Sequence, residues 1–187
     1  MATHINDRTP SREECDELMV RHSMRPHIVE HSIQVMYVSL AITDNLKNGV
    51  AINRDMVIAA ALLHDITKTR SLETNERHDI TGGKLLRETG FTSIAEIVEQ
   101  HVVFQNLNPR GRIEEREIIY YADKRVMHDK IVTIEQRVHD LLQRYGNTEQ
   151  IESLIHQNKK LVLAVEKKIA GFMKIDIHRA IEGIKAG

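Results

Sequence analysis

Apolar residues recur at helical spacing along most of this chain, and little interrupts them. Only three prolines and nine glycines punctuate its 187 residues, so long helices joined by short connections are expected. Ser11 followed by Glu14 forms a capping box that opens a short helix to about His22. Pro26 suits the first position of a second helix. That helix carries Ile28, His31, Val35, Val38 and Ile42 on one stripe and is expected to end near Asn48-Gly49. Asn53 caps a third, Met56 to Asp65, which is apolar almost all round and therefore central. Thr67 to Arg77 is polar and reads as an irregular loop. Helical pattern resumes from His78 to Glu88 and stops at Gly90. Thr92 or Ser93 caps the next helix, where Ile94, Ile97, Val98 and His101 share a face. Gln105 to Arg112 holds Asn-Pro and Arg-Gly and reads as a loop. Glu114 to Met127 is helical, with Ile119, Ala122, Asp123 and Val126 on one stripe, and Ile131 to Tyr145, Thr148 to Phe172 and Asp176 to Ile184 complete the chain. No segment alternates as a strand would, and no repeat or linker divides the sequence. The fold class is all-α, a single domain over residues 1–187 with about eight helices.

Composition narrows what such a bundle does. Aromatic residues are 4% of the chain and Trp is absent, so the core must be aliphatic. Lys plus Arg is 26 against 27 for Asp plus Glu, which gives no overall field to hold a long nucleic acid or an anionic membrane. Cys15 is the only cysteine, which excludes an internal disulfide and a thiolate-rich zinc site. No apolar run approaches the roughly 20 residues that span a bilayer. The stretch Met1 to Asp7 lacks the apolar core of a secretory signal, so a cytoplasmic protein is expected. The residue type in excess is histidine, with 11 copies.

Several of those histidines, and two acids, fall where apolar side chains belong. His31, His64, Asp65, His101 and Asp123 lie on, or at the end of, stripes that face the core. A buried ionisable group is costly unless it is paired or bound to a metal. A lone case is usually a satisfied core histidine, but here separate helices each deliver one to the interior, where they can converge as in helical metal sites. Imidazole with carboxylate suits Fe, Mn, Zn, Ni or Co, and the absence of thiolates speaks against a purely structural zinc. Neighbours on a helix diverge by about 100 degrees. His64 and Asp65 can therefore ligate one centre only near a helix end or from a bent turn; alternatively the Asp bridges two metals while the His holds one.

The order His … His-Asp … Asp resembles the HD superfamily of metal-dependent phosphohydrolases. The resemblance is carried by Val29-Glu30-His31-Ser32, by Ala61-Leu62-Leu63-His64-Asp65-Ile66-Thr67-Lys68, and by Tyr121-Ala122-Asp123-Lys124. It covers residues 26–127 as a metal-binding core and leaves 128–187 as a C-terminal helical extension. It implies His31, His64, Asp65 and Asp123 as ligands of a first metal. His78, with Gly82 four residues on, and His101 fall where a two-metal subgroup that includes symmetrical dinucleoside tetraphosphate hydrolases holds its second ion. Many members have Gly where Thr67 stands, so no relative's substrate preference carries over.

The implied chemistry is hydrolysis of a phosphate ester or phosphoanhydride by a metal-activated hydroxide, with one or two divalent transition-metal ions. Asp65 would bridge the ions, and Lys68 would place positive charge on the substrate phosphate; the plain alternative for Lys68 is a solvated loop lysine. Arg110 and Arg112, in the loop after His101, are candidate phosphate contacts, although loop arginines are usually solvated. Lys124 and Arg125 are expected to point outward or to form ion pairs, and Glu30 to orient an imidazole. His4, His22, His27, His128, His139, His156 and His178 read as exposed or ordinary helix histidines, His27 and His128 being the two with an outside chance of lining the pocket. The expected partner is a small phosphorylated metabolite or nucleotide, with no membrane and no long nucleic acid; whether the chain forms a homo-oligomer is left open. Two other readings remain: a sensor module that binds metal and nucleotide without turnover, and a structural metal that only ties helices together.

Overall fold

Helix starts follow the local chemistry of the chain. In the computed structural model, which describes residues 7–184, α1 (Arg12–Arg21) opens on the capping box formed by Ser11 and Glu14, each side chain accepting from the other's backbone N–H. Helix α2 (Pro26–Thr43) has its proline in the first turn, where the missing N–H removes nothing. Helix α3 (Arg54–Leu63) is capped by the Asn53 side chain, which accepts from the N–H groups of Asp55 and Met56. Residues Ala59 to Leu63 are fully buried, so α3 is the central helix its all-round apolar pattern predicts. It packs chiefly on α2, with α1, α6 (Thr92–Val98) and α7 (Glu115–Lys124) completing the wall, and α5 (His78–Glu88) packs on α6.

The fold is all-α, with ten helices among the described residues rather than about eight. Residues Lys68–Thr74, expected as irregular loop, form α4, which buries none of its residues and so has no apolar period to read. Helix α2 stops at Thr43 with Asp44 at its C-cap, short of Asn48-Gly49. The chain leaves early because Lys47 N–H donates to the Phe172 carbonyl, Lys174 N–H donates to that of Asn45, and Leu46 bridges Met173. Phe91, not Thr92 or Ser93, stands at the N-cap of α6. The stripe assigned to Glu114–Met127 ends at Lys124 and gives way to a hairpin of β1 (Val126–Met127) and β2 (Lys130–Ile131), with His128 in the left-handed region at φ 58°.

Beyond the hairpin lie α8 (Ile134–Tyr145), α9 (Glu149–Phe172) and α10 (Ile177–Glu182). Val162, Val165 and Ile169 of α9 join the same buried cluster as Ile118, Ile119 and Ala122 of α7. A buried ion pair between Lys168 of α9 and Glu117 of α7, at 2.6 Å, fastens the two helices. Tyr121 of α7 donates to Glu166 of α9 at 2.5 Å. Arg125, expected to point outward or to form an ion pair, is buried and satisfied by neutral groups: it donates to the Val132 carbonyl, to Tyr121 Oη and to His178. No helix among the described residues is long and apolar enough to cross a membrane.

Candidate metal centre

Four imidazoles and two carboxylates converge at one end of α3, and each arrives from a different local structure. His31 comes from the middle of α2. His64 caps the C-terminal end of α3 and Asp65 follows in the turn before α4, so the adjacent pair points inward from a bend rather than a regular helix. His78 is the first residue of α5, Asp123 lies in the last turn of α7, and His101 lies just beyond α6. The rings form a continuous chain, with centroids 5.3 Å apart for His31–His64, 5.0 Å for His64–His101 and 5.1 Å for His78–His101.

Backbone carbonyls fix the orientation of three rings. His31 Nδ1 donates to the His128 carbonyl at 2.9 Å, His64 Nδ1 to Ala61 at 2.7 Å, and His101 Nδ1 to Val98 at 2.6 Å. A proton held on Nδ1 leaves Nε2 as the atom presented to a ligand. Glu30, expected to orient His31, is exposed, and the His128 carbonyl at the hairpin does that work.

The Nε2 atoms face carboxylate oxygens. His78 Nε2 and His101 Nε2 lie 3.1 and 3.4 Å from Asp65 Oδ1, and 3.1 Å from one another. His64 Nε2 is 3.6 Å from Asp65 Oδ2 and 3.7 Å from Asp123 Oδ1. His31 Nε2 is 3.0 Å from Asp123 Oδ1. Two ligand sets emerge, His31 with His64 and Asp65, and Asp65 with His78 and His101, sharing one carboxylate.

Electrostatics keep both carboxylates ionised. Burial works to raise the Asp65 carboxyl, but the imidazoles of His64, His101 and His78 and the Lys68 ammonium outweigh it and hold it well below its usual value. Asp123 is likewise opposed by burial and held low by Lys124 and His31. Burial pushes His64 down to about 4, so its ring is neutral. Burial also acts against the charged form of His31, but the hydrogen bond and charge of Asp123 win and its pKa rises.

The donor set fits a divalent ion. With Nδ1 donating to Ala61 and the ring neutral, His64 Nε2 is a buried lone pair without a hydrogen-bond partner. Such groups are costly to bury unless something binds them. All-imidazole and carboxylate donors suit Fe, Mn, Zn, Ni or Co.

A cavity of about 410 Å³ opens over this cluster. His31, Asp65, Lys68, His78, His101 and Asp123 all line it, whereas the His64 ring lies beneath them, fully buried. Lys68 Nζ stands 3.2 Å from His78 Nε2 and 3.7 Å from Asp65 Oδ1. Lys124 turns inward, donating to Asp123 Oδ2 at 2.7 Å and to the His101 carbonyl at 2.6 Å. His27 and His128 do line the cavity. Arg110 and Arg112 are exposed and do not line it. Phe104, Tyr120 and Tyr121 are buried in the core and do not line it. His22, His139, His156 and His178 stand away from the cavity, and His4 lies outside the described residues. Sequence reasoning missed one wall entirely: Arg137, Leu141, Arg144 and Tyr145 of α8 and Asn158 of α9.

The model of the HD domain family matches residues 28–127. A dihydroneopterin 2′,3′-cyclic phosphate phosphodiesterase of Methanocaldococcus jannaschii is 45% identical over 49 residues, 25% of this chain and 20% of that protein. A tRNA (cytidine(56)-2′-O)-methyltransferase of Picrophilus torridus is 27% identical over 152 residues, 74% of this chain and 41% of that protein. Its counterpart in Thermoplasma volcanium is 27% identical over 165 residues, 81% of this chain and 47% of that protein. The chain thus spans less than half the length of each of these relatives. No solved structure matches it.

Proposed function

The chain belongs to the HD domain family, and on that premise we propose that it is a metal-dependent phosphohydrolase acting on a small phosphorylated, nucleotide-like substrate. The observation that carries the reading is the pair of ligand sets meeting at the buried Asp65 carboxylate, on the floor of an open cavity. His31, His64, Asp65 and Asp123 would hold one ion, and His78, His101 and Asp65 a second. Divalent ions, when bound, lower the pKa of water towards about 7 and neutralise phosphoryl oxygens.

The chain's own groups then have separate tasks. Asp65 ties the two ligand sets together, since its carboxylate oxygens face imidazoles on both sides. Lys124 holds Asp123 in place through Oδ2, leaving Oδ1 to the histidines. Lys68, a third exposed and on the cavity wall, donates to a non-bridging oxygen of the substrate phosphate. Four hydrophobic side chains, Leu72, Val102, Leu141 and Tyr145, keep water from the flank of the bound substrate. A cavity of about 410 Å³ suits a mononucleotide-sized ligand better than a polymer.

The phosphodiesterase relative puts cyclic phosphodiesters at the head of the substrate panel. Similarity to portions of two tRNA methyltransferases supports a second reading, in which the phosphate sits at an RNA end; the net charge of −1 favours the small substrate. The test is a screen of mono-, di- and cyclic nucleotides with several divalent metals, read by chromatography of the products, because opening a cyclic phosphodiester frees no inorganic phosphate. Hydrolysis of at least one small substrate, abolished in Asp65→Ala, is expected. Metal-loaded protein that binds nucleotides without hydrolysing them is a sensor, and overturns the proposal.

A further inference from the structure

The wall of the cavity that lies outside the matched segment carries charge that the metal cluster does not explain. Arg137, Leu141, Arg144 and Tyr145 are spaced four, three and one residues apart on α8, so they share one helical face, and all four line the cavity. Ile134 and Val138, on the side of α8 next to Leu141 and Tyr145, are buried. A face that could have closed the bundle with aliphatic side chains instead presents two guanidiniums to the cavity.

Those guanidiniums share one carboxylate. Asp140 Oδ2 accepts from Arg137 at 3.3 Å and Asp140 Oδ1 pairs with Arg144 Nε at 2.9 Å. Arg144 Nη2 also donates to His128 Nε2 at 2.7 Å, which steers its plane along the cavity edge. Arg137 Nε is buried and has no acceptor. On the floor each lysine already faces an acid, Lys68 with Asp65 and Lys124 with Asp123. The α8 wall is therefore the place where one positive charge and a buried donor stand uncompensated, with Leu141, Tyr145 and Asn158 beside them. Fork-shaped, always charged donors fit phosphate oxygens in pairs.

We propose that Arg137 and Arg144 form a second phosphate subsite, so that the substrate is an organic bisphosphate. One phosphate sits at the ligand cluster and the other, carried elsewhere on the organic body, sits on α8. This deepens the proposed phosphohydrolase function and rests on it for the role of the first phosphate. The apolar body of the substrate lies along Leu141 and Tyr145, between the two anions.

The experiment is calorimetric titration of the purified protein with adenosine 5′-monophosphate and adenosine 3′,5′-bisphosphate, which reads binding without turnover. Charge-assisted hydrogen bonds to the second phosphate predict a bisphosphate bound roughly tenfold or more tightly than the monophosphate. In Arg137→Gln/Arg144→Gln that advantage falls below about twofold, and Arg144→Gln alone, a change at the more exposed rim, loses part of it. Lys84→Gln, an exposed lysine on α5 that does not line the cavity, keeps the full advantage. Equal binding of the two probes by the wild type, binding of neither, or an undiminished advantage in the double variant overturns the subsite. An intact advantage in a protein that hydrolyses nothing would refute the phosphohydrolase reading and leave the subsite standing.

Discussion

Removing Lys168 should destabilise the protein far more than removing Lys168 and Glu117 together. Lys168 Nζ lies 2.6 Å from Glu117 Oε1, and the two side chains are 3% and 1% exposed. Lys168→Met keeps the length and apolar body of the side chain but leaves the carboxylate buried without its counter-charge. Breaking a buried pair from one side costs about 3–5 kcal/mol. In a domain of this size each kcal/mol moves Tm by roughly 2–4 °C, so the single variant should melt about 6–20 °C lower. Glu117→Gln added to Lys168→Met removes the stranded charge. The new amide oxygen can still accept from the Glu114 N–H, as Oε2 does at 3.0 Å, so the start of α7 is preserved. The double variant should recover most of the loss, because a neutral pair of similar volume often replaces a buried ion pair at little net cost. The assay is thermal and urea unfolding of the wild type, both single variants and the double variant, analysed as a cycle. A single variant within about 1 kcal/mol of the wild type, or a double variant no better than the worse single, refutes the reasoning.

Lys68→Ala should lower turnover at least about tenfold while metal content, read by elemental analysis, stays unchanged, because the lysine is assigned to the substrate phosphate. Equal turnover removes Lys68 from the mechanism. Burial pushes the Cys15 thiol up to about 12, against about 8.5 when unfolded. The native thiol therefore stays protonated, and a thiol reagent at pH about 8 should label it only after unfolding. The sign for stability follows: as pH rises above about 8.5 the unfolded chain releases this proton and the folded one does not, so stability falls by up to about 1.4 kcal/mol per unit until the folded pKa is reached. Fast native labelling, or stability that Cys15→Ala leaves equally steep above that pH, contradicts it.

What the sequence made legible is what burial writes into it. His31 and Asp123 stand out because they interrupt apolar stripes that really do face the core, and His64-Asp65 because the all-round apolar α3 ends there. The capping box at Ser11 and the Asn53 cap are local devices and were readable for the same reason. The features that escaped lack a local signature. Helix α4 buries nothing, so no period marks it, and two-residue strands are too short to alternate. The end of α2 is set by pairing with residues 172–174, more than a hundred positions away. Arg125 was expected to point outward or to form an ion pair, but Tyr121 and the Val132 carbonyl, which satisfy its guanidinium, become neighbours only in three dimensions. The α8 arginines escaped similarly: on one sequence, Arg137 and Arg144 resemble any solvated helix face, and only the cavity reveals what they face.

The most direct test of the account is the metal stoichiometry, because the proposed hydrolysis rests on Asp65 joining two ligand sets. Reconstitution with a divalent transition metal, followed by elemental analysis after gel filtration, should give about two ions per chain in the wild type. His78→Ala/His101→Ala should retain about one, and Asp65→Ala close to none, with helical content preserved in both. Saturation of the wild type at one equivalent would contradict the shared-carboxylate centre, and full occupancy in Asp65→Ala would contradict the site itself.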